Sequence, residues 1–259
     1  MMKQLNKWRE DRTIAHIVPL AIILLMGLIG GNVIPYIDFF RDHSDLPWWQ
    51  RKPEYWMLGI EVLLGTASLA FFWKHYEFRW SKWVWFGAFM GAVGIAFWIL
   101  PTQLYEWLGF EQDPDGWLKR LGIQKRDEGF DGLLFEQGSM AYWIAVVVRF
   151  WRAVVLVSLA EEIFWRSFLM RYLLDRDGPN GRFWKVPFGK PTWMTFWVVT
   201  LLFVFAHAPV DYAGALIYGA LTYWVTVVTR SLLAVVVMHG VANLIMGFYA
   251  LSFEKYGLW

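Results

Sequence analysis

The chain has 259 residues, 58% of them hydrophobic and 18% charged, with a mean hydropathy of +0.37, which is too apolar for an ordinary soluble domain and indicates an integral membrane protein. The formal net charge is only +2 and no basic run of the kind that grips phosphate is present, so nucleic acid is excluded as an expected partner. The absence of cysteine excludes disulfides, thiolate chemistry and lipid attachment at a cysteine of the chain itself.

Residues 1–13 are polar and basic, with Lys3, Lys7, Arg9 and Arg12. The apolar run at 14–37 is too long for the core of a signal peptide and lacks a small-residue cleavage pattern, so it reads as a retained first span. Its Gly27, Gly30 and Gly31 predict close approach of another helix. A loop at 38–54, rich in Asp, Pro and Trp, precedes a second span at 55–73. A short basic turn with Lys74, Arg79 and Lys82 then leads to a third span at 83–104. Residues 105–138 form the longest polar stretch, with eight acidic side chains against four basic ones, and are expected outside the membrane.

The fourth apolar region has two readings. Residues 140–148 are apolar, but Arg149 and Arg152 interrupt them before 153–174 runs on. After a basic loop with Arg176, Arg182, Lys185 and Lys190, further spans are predicted at 192–208, 212–229 and 232–251. The expected fold is therefore all-α: a polytopic membrane helical bundle of about seven, or eight, transmembrane helices. We divide it into residues 1–138, with N-terminal spans and the acidic loop, and a helical core at 139–259. The N-terminus, the 74–82 turn, the 175–191 loop and the turn at Arg230 carry the basic residues and all fall on one side of seven spans. This places the N-terminus in the cytoplasm, in an inner or plasma membrane of bacterial type. The nineteen Trp and eleven Tyr fit aromatic anchoring at both interfaces.

Charges inside hydrocarbon cost at least a few kcal/mol, so those in the later spans are the candidates for function. The fourth span carries Glu161, Glu162 and Arg166; the fifth carries His207; the seventh carries His239 and, one turn on, Asn243. At about 100° per residue, Glu162 and Arg166 lie roughly 40° apart on an α-helix and Glu161 and Arg166 about 140° apart. Glu162 is thus the expected partner of Arg166, which leaves Glu161 available for proton transfer. With a rise of 1.5 Å per residue, His207 is roughly 20 Å from the inner end of its span, and His239 and Asn243 are about 12 and 18 Å from theirs. Glu161 reaches a similar depth if its span is 153–174, which we therefore prefer to one ending near Ala160.

Glu161-Glu162-x-x-x-Arg166, Phe203-x-x-x-His207 and His239-x-x-x-Asn243, in that order and each in a hydrophobic span, resemble the three motifs of the CPBP family of intramembrane proteases. That family includes the CAAX prenyl endopeptidases of the Ras-converting type and bacterial bacteriocin-processing relatives. The resemblance covers about residues 150–250. It implies an intramembrane endopeptidase in which Glu161 is the general base and works with His207 on a water, and His239 and Asn243 stabilise the oxyanion. Glu162 and Arg166 would support the site. The implied partners are the bilayer and a peptide or protein substrate, lipidated or membrane-anchored, and no cofactor is expected. The alternative mechanism has Glu161, His207 and His239 as Zn²⁺ ligands, although nothing resembles His-Glu-x-x-His. The alternative function is a non-catalytic membrane scaffold or bacteriocin-immunity protein, with a proton-relay transporter behind it.

Overall fold

The computed structural model describes residues 7–40, 46–109, 118, 134–175 and 181–258. Most of the acidic stretch at 105–138, and Arg176 of the basic loop, lie outside the described residues. The described residues are helical, without a strand. We label seven helices: α1 Arg12–Asn32, α2 Glu54–Phe72, α3 Trp83–Trp107, α4 Met140–Tyr172, α5 Trp193–Phe205, α6 Tyr212–Thr229 and α7 Leu232–Ser252. All but α5 belong to segments long and apolar enough to cross a membrane, six in all among the described residues. The chain is an integral membrane protein. Its residues fall into two compact units, one of Met1–Tyr76 with Asp131–Phe164 and one of Glu77–Phe130 with Trp165–Trp259.

In the first unit, Asp11 starts α1 by accepting hydrogen bonds from the N–H groups of Thr13 and Ile14 at 2.8 and 3.1 Å. Pro19, inside α1, has no N–H to return to the carbonyl of Ala15. The buried Tyr76 hydroxyl donates to that oxygen instead, at 2.7 Å, so a proline in the first span is matched by a phenol from the end of the second. His75 Nε2 donates to Arg9 O at 2.7 Å and Lys74 pairs with Glu10, which fastens the same two segments outside the hydrocarbon. The glycine set of α1 does not serve the close approach expected of it. Among the described residues, nothing would lie within 4 Å of a Cβ at Gly27 or Gly31, and one at Gly30 would meet only the methyl and sulfur of Met57.

The fourth region is neither of the two spans weighed above. Residues Met140–Tyr172 form one continuous helix of 33 residues, whereas roughly 20 suffice for about 30 Å of hydrocarbon. Arg152, which seemed to interrupt it, is absorbed by Glu61 of α2: Arg152 Nε lies 2.7 Å from Glu61 Oε1, with Glu61 only 5% exposed. Beside this pair, Trp151 Nε1 donates to Thr66 Oγ1 at 3.1 Å.

In the second unit α3 packs along α7 and α6, and α5 packs on α6. The tight contact is a Gly-x-x-x-Gly pair at Gly87 and Gly91 of α3. A Cβ at Gly87 would lie 2.1 Å from Ala234 O, and one at Gly91 2.3 Å from Met238 O. Backbone therefore meets backbone, the arrangement by which small residues let membrane helices associate. Gly91→Ala should destabilise the folded protein by about 1–3 kcal/mol, since the obstacle is main chain and cannot rotate away; a detergent-solubilised variant with unchanged thermal unfolding would contradict this contact. The hydroxyls of Thr222, Thr226 and Thr229 on α6 bond to carbonyls four residues back, at 2.9, 2.7 and 2.8 Å, so they are satisfied without water.

Candidate functional site

Glu161 and Glu162 belong to the first unit, and Arg166, His207, His239 and Asn243 to the second.

On α4, Glu162 is fully buried and Glu161 half-buried, and Glu161 Oε2 is a buried oxygen without a hydrogen-bond partner among the described residues. The helix around them is not regular. Residues Trp151–Val157 and Ile163–Leu169 are π-wound, flanking a single α-turn at Ser158–Glu162. A π-turn bonds residue i to i+5, and such turns concentrate at functional sites. The 100° arithmetic that assigned Glu162 rather than Glu161 to Arg166 consequently does not hold over these residues.

Arg166 is fully buried in the second unit. Its Nη2 donates to Thr222 Oγ1 and, at 3.4 Å, to Gly219 O of α6, and its guanidinium lies 5.7 Å from the centre of the Phe203 ring of α5. Thr222 can do this because its own proton goes to Tyr218 O, which leaves its oxygen to accept. Arg166 thus ties the part of α4 within the second unit to α5 and α6, and Thr222, whose hydroxyl accepts from it, was not singled out from the sequence.

The fifth span differs from expectation. Helix α5 has 13 residues, roughly 20 Å, and ends at Phe205, so His207 stands in the turn beyond it. Ala208, extended at ψ 150°, and Pro209 then open α6 through a short 3-10 turn. Pro209 explains the stop, because it drives the residue before it out of helical geometry. The imidazole caps the broken end: His207 Nδ1 is 2.7 Å from Phe203 O. A carbonyl only accepts, so Nδ1 carries the proton, and in the neutral ring Nε2 keeps its lone pair for an acceptor or base role. Phe203 and Trp98 hold the ring, with centroids 4.5 and 5.5 Å away.

From there a line of rings crosses the unit. Trp98 meets Tyr218 edge-on at 5.8 Å, and Tyr218 meets His239 at 5.7 Å. Helices α3, α5, α6 and α7 therefore place His207 and His239 around one aromatic pair. His239 is buried, and Asn243 is half-buried one turn further along α7. Trp98 and Tyr218 do not stand out in the sequence, because Trp and Tyr recur throughout these apolar spans; Tyr218 and Thr222, four apart on α6 around Gly219, were the available signal. Among the described residues no three His, Asp or Glu side chains are gathered so as to hold a metal ion.

The family model described as Type II CAAX prenyl endopeptidase Rce1-like matches residues 143–245, a stretch that contains all six motif residues and agrees with the CPBP assignment drawn from the motifs. That family is one of proteases, and the chain is similar to it over this stretch. Comparison with curated proteins and with solved structures finds no match.

Proposed function

Taking the Rce1-like match over residues 143–245 as premise, we propose that this protein is an intramembrane endopeptidase that hydrolyses a peptide bond near the membrane with water activated by Glu161 and His207. The observation that carries this reading is the state of His207: with Nδ1–H committed to Phe203 O and the ring held between Phe203 and Trp98, its Nε2 is an oriented acceptor at the end of a helix that stops short. Glu161 takes a proton from water, the water oxygen adds to the scissile carbonyl carbon, and the developing oxyanion is met by donors on His239 and Asn243. Collapse breaks the C–N bond, and the proton held by Glu161 passes to the leaving nitrogen. Oxyanion donors are worth most where water is scarce, which suits residues carried by α7. Glu162 and Arg166 support the helix that bears the base. The catalytic core on this reading is residues 139–259 and the N-terminus is cytoplasmic, which the distribution of basic segments supports.

The substrate class is a peptide or protein at the membrane. Purified protein in nanodiscs, given in turn a prenylated CAAX tail, the same tail without lipid, and a membrane-anchored leader peptide, is expected to cleave at least one. We expect cleavage to survive chelation, and metal analysis of the active protein to find no stoichiometric zinc. Tightly held zinc whose removal abolishes cleavage would instead make Glu161, His207 and His239 ligands. Failure of folded protein to cleave any of the three would favour the scaffold reading.

A further inference from the structure

A second polar feature of the second unit lies away from the motif residues. At the basic ends of the helices the turn before α3, the end of α4, the loop before α5 and the α6–α7 turn enclose a cavity of about 310 Å³. Arg79, Arg171 and Arg230 line it against a single carboxylate, Glu77. Three arginines against one glutamate leave this lining with an excess of positive charge, which favours an anion.

Two of the three are placed at some cost. Arg171 is 7% exposed; its Nη2 donates to Ser167 Oγ at 2.7 Å, its Nε to Ser167 O, and its guanidinium lies over Phe183 and Phe188 at 5.4 and 5.9 Å. Such a side chain is fixed before any ligand arrives, which reduces the ordering cost of binding. Arg230 ends α6 in the left-handed region, at φ 48° and ψ 35°. Glycine or asparagine is the usual residue there, and an arginine accepts strain at that position. The wall is completed by Ser231, the N-cap of the 21-residue α7, whose first N–H groups favour an anion. Ser81 also lines the cavity, and its Oγ is buried without a hydrogen-bond partner among the described residues. Trp80 and Trp85, 71% and 69% exposed, flank this end as interfacial anchors would.

We propose that this cavity binds the phosphodiester of an anionic phospholipid head group. A phosphate offers the oxygens that three guanidiniums and a helix N-terminus are suited to hold, basic pockets between membrane helices take such head groups, and the interfacial position supplies the ligand from the bilayer itself. The lipid would brace α3, α4, α6 and α7 from the face where their basic residues lie. This inference does not depend on the protease reading.

The test is thermal unfolding of the full chain in nanodiscs of phosphatidylcholine alone and with phosphatidylglycerol. The wild type should gain stability from phosphatidylglycerol. Arg79→Gln and Arg230→Gly should each lose most of that gain, and Arg230→Gly should unfold no earlier than wild type in phosphatidylcholine, because glycine relieves the backbone. Lys185→Gln, a basic residue of the neighbouring loop outside this cavity, should keep the gain. Equal loss in Lys185→Gln would overturn the proposal in favour of diffuse surface charge. A gain undiminished in both arginine variants would also overturn it, and so would the same gain produced in phosphatidylcholine by inorganic phosphate, which would mark a free-anion site.

Discussion

Glu161→Gln should abolish detectable peptide-bond cleavage, a fall of at least about 10²–10⁴-fold, while the protein still folds. Glutamine keeps the shape of the side chain and removes its ability to take a proton. Because Glu161 is half-buried with an oxygen that has no hydrogen-bond partner among the described residues, the substitution breaks no observed contact. Glu162→Gln and Arg166→Ala should behave differently. Both residues are fully buried, and Arg166 is tied to Thr222 and Gly219, so these variants should lose folded yield together with activity. The measurement is turnover per folded molecule, with folding followed by monodispersity and thermal unfolding. Full turnover in folded Glu161→Gln would end the assignment of this residue as base. Equal thermal stability in all three variants would end the division between base and support. Since the π-winding at Ile163–Leu169 removes the angular argument for that division, the comparison of Glu161 with Glu162 is the decisive one.

Particular residues explain what could be read in advance. The spans at 212–229 and 232–251 matched α6 and α7 closely because Asp211 and the Arg230-Ser231 turn bound uniform apolar runs, and Ser231 caps the second of them. The family motifs were legible because they consist of ionisable or amide side chains, which stand out in hydrocarbon. The end of α5 was hidden by Ala206 and Ala208, which continue the apolar run past the helix; Pro209 was the cue. The extent of α4 was hidden because hydropathy treats Arg149 and Arg152 as breaks, whereas the partner of Arg152 lies 91 residues earlier in another helix. Pairing of this kind leaves no local trace. The same holds for the contact of Gly87 and Gly91 with α7, since a small-residue spacing occurs on α1 as well and, among the described residues, only one of the two sets meets a backbone.

That long-range pair yields the second large effect. Arg152→Met should destabilise the protein by about 3–5 kcal/mol, because it leaves Glu61, 5% exposed, as a buried carboxylate without its cation. Glu61→Leu alone should cost less, since Arg152 is one-third exposed and its long side chain reaches toward water. The double variant Glu61→Leu/Arg152→Met should recover most of the loss, as replacing a buried ion pair with apolar side chains of similar size is often neutral or better. A thermodynamic cycle of unfolding midpoints in detergent gives the coupling directly. The same four proteins also distinguish a purely structural pair from a proton pathway. If the pair only joins α2 to α4, the stable double variant cleaves peptide as the wild type does. A double variant that folds normally but has lost turnover would place Glu61 and Arg152 in the reaction and revive the proton-relay alternative. We expect activity to follow stability, because the pair lies on the part of α4 preceding the Ser158–Glu162 turn and holds that helix against α2.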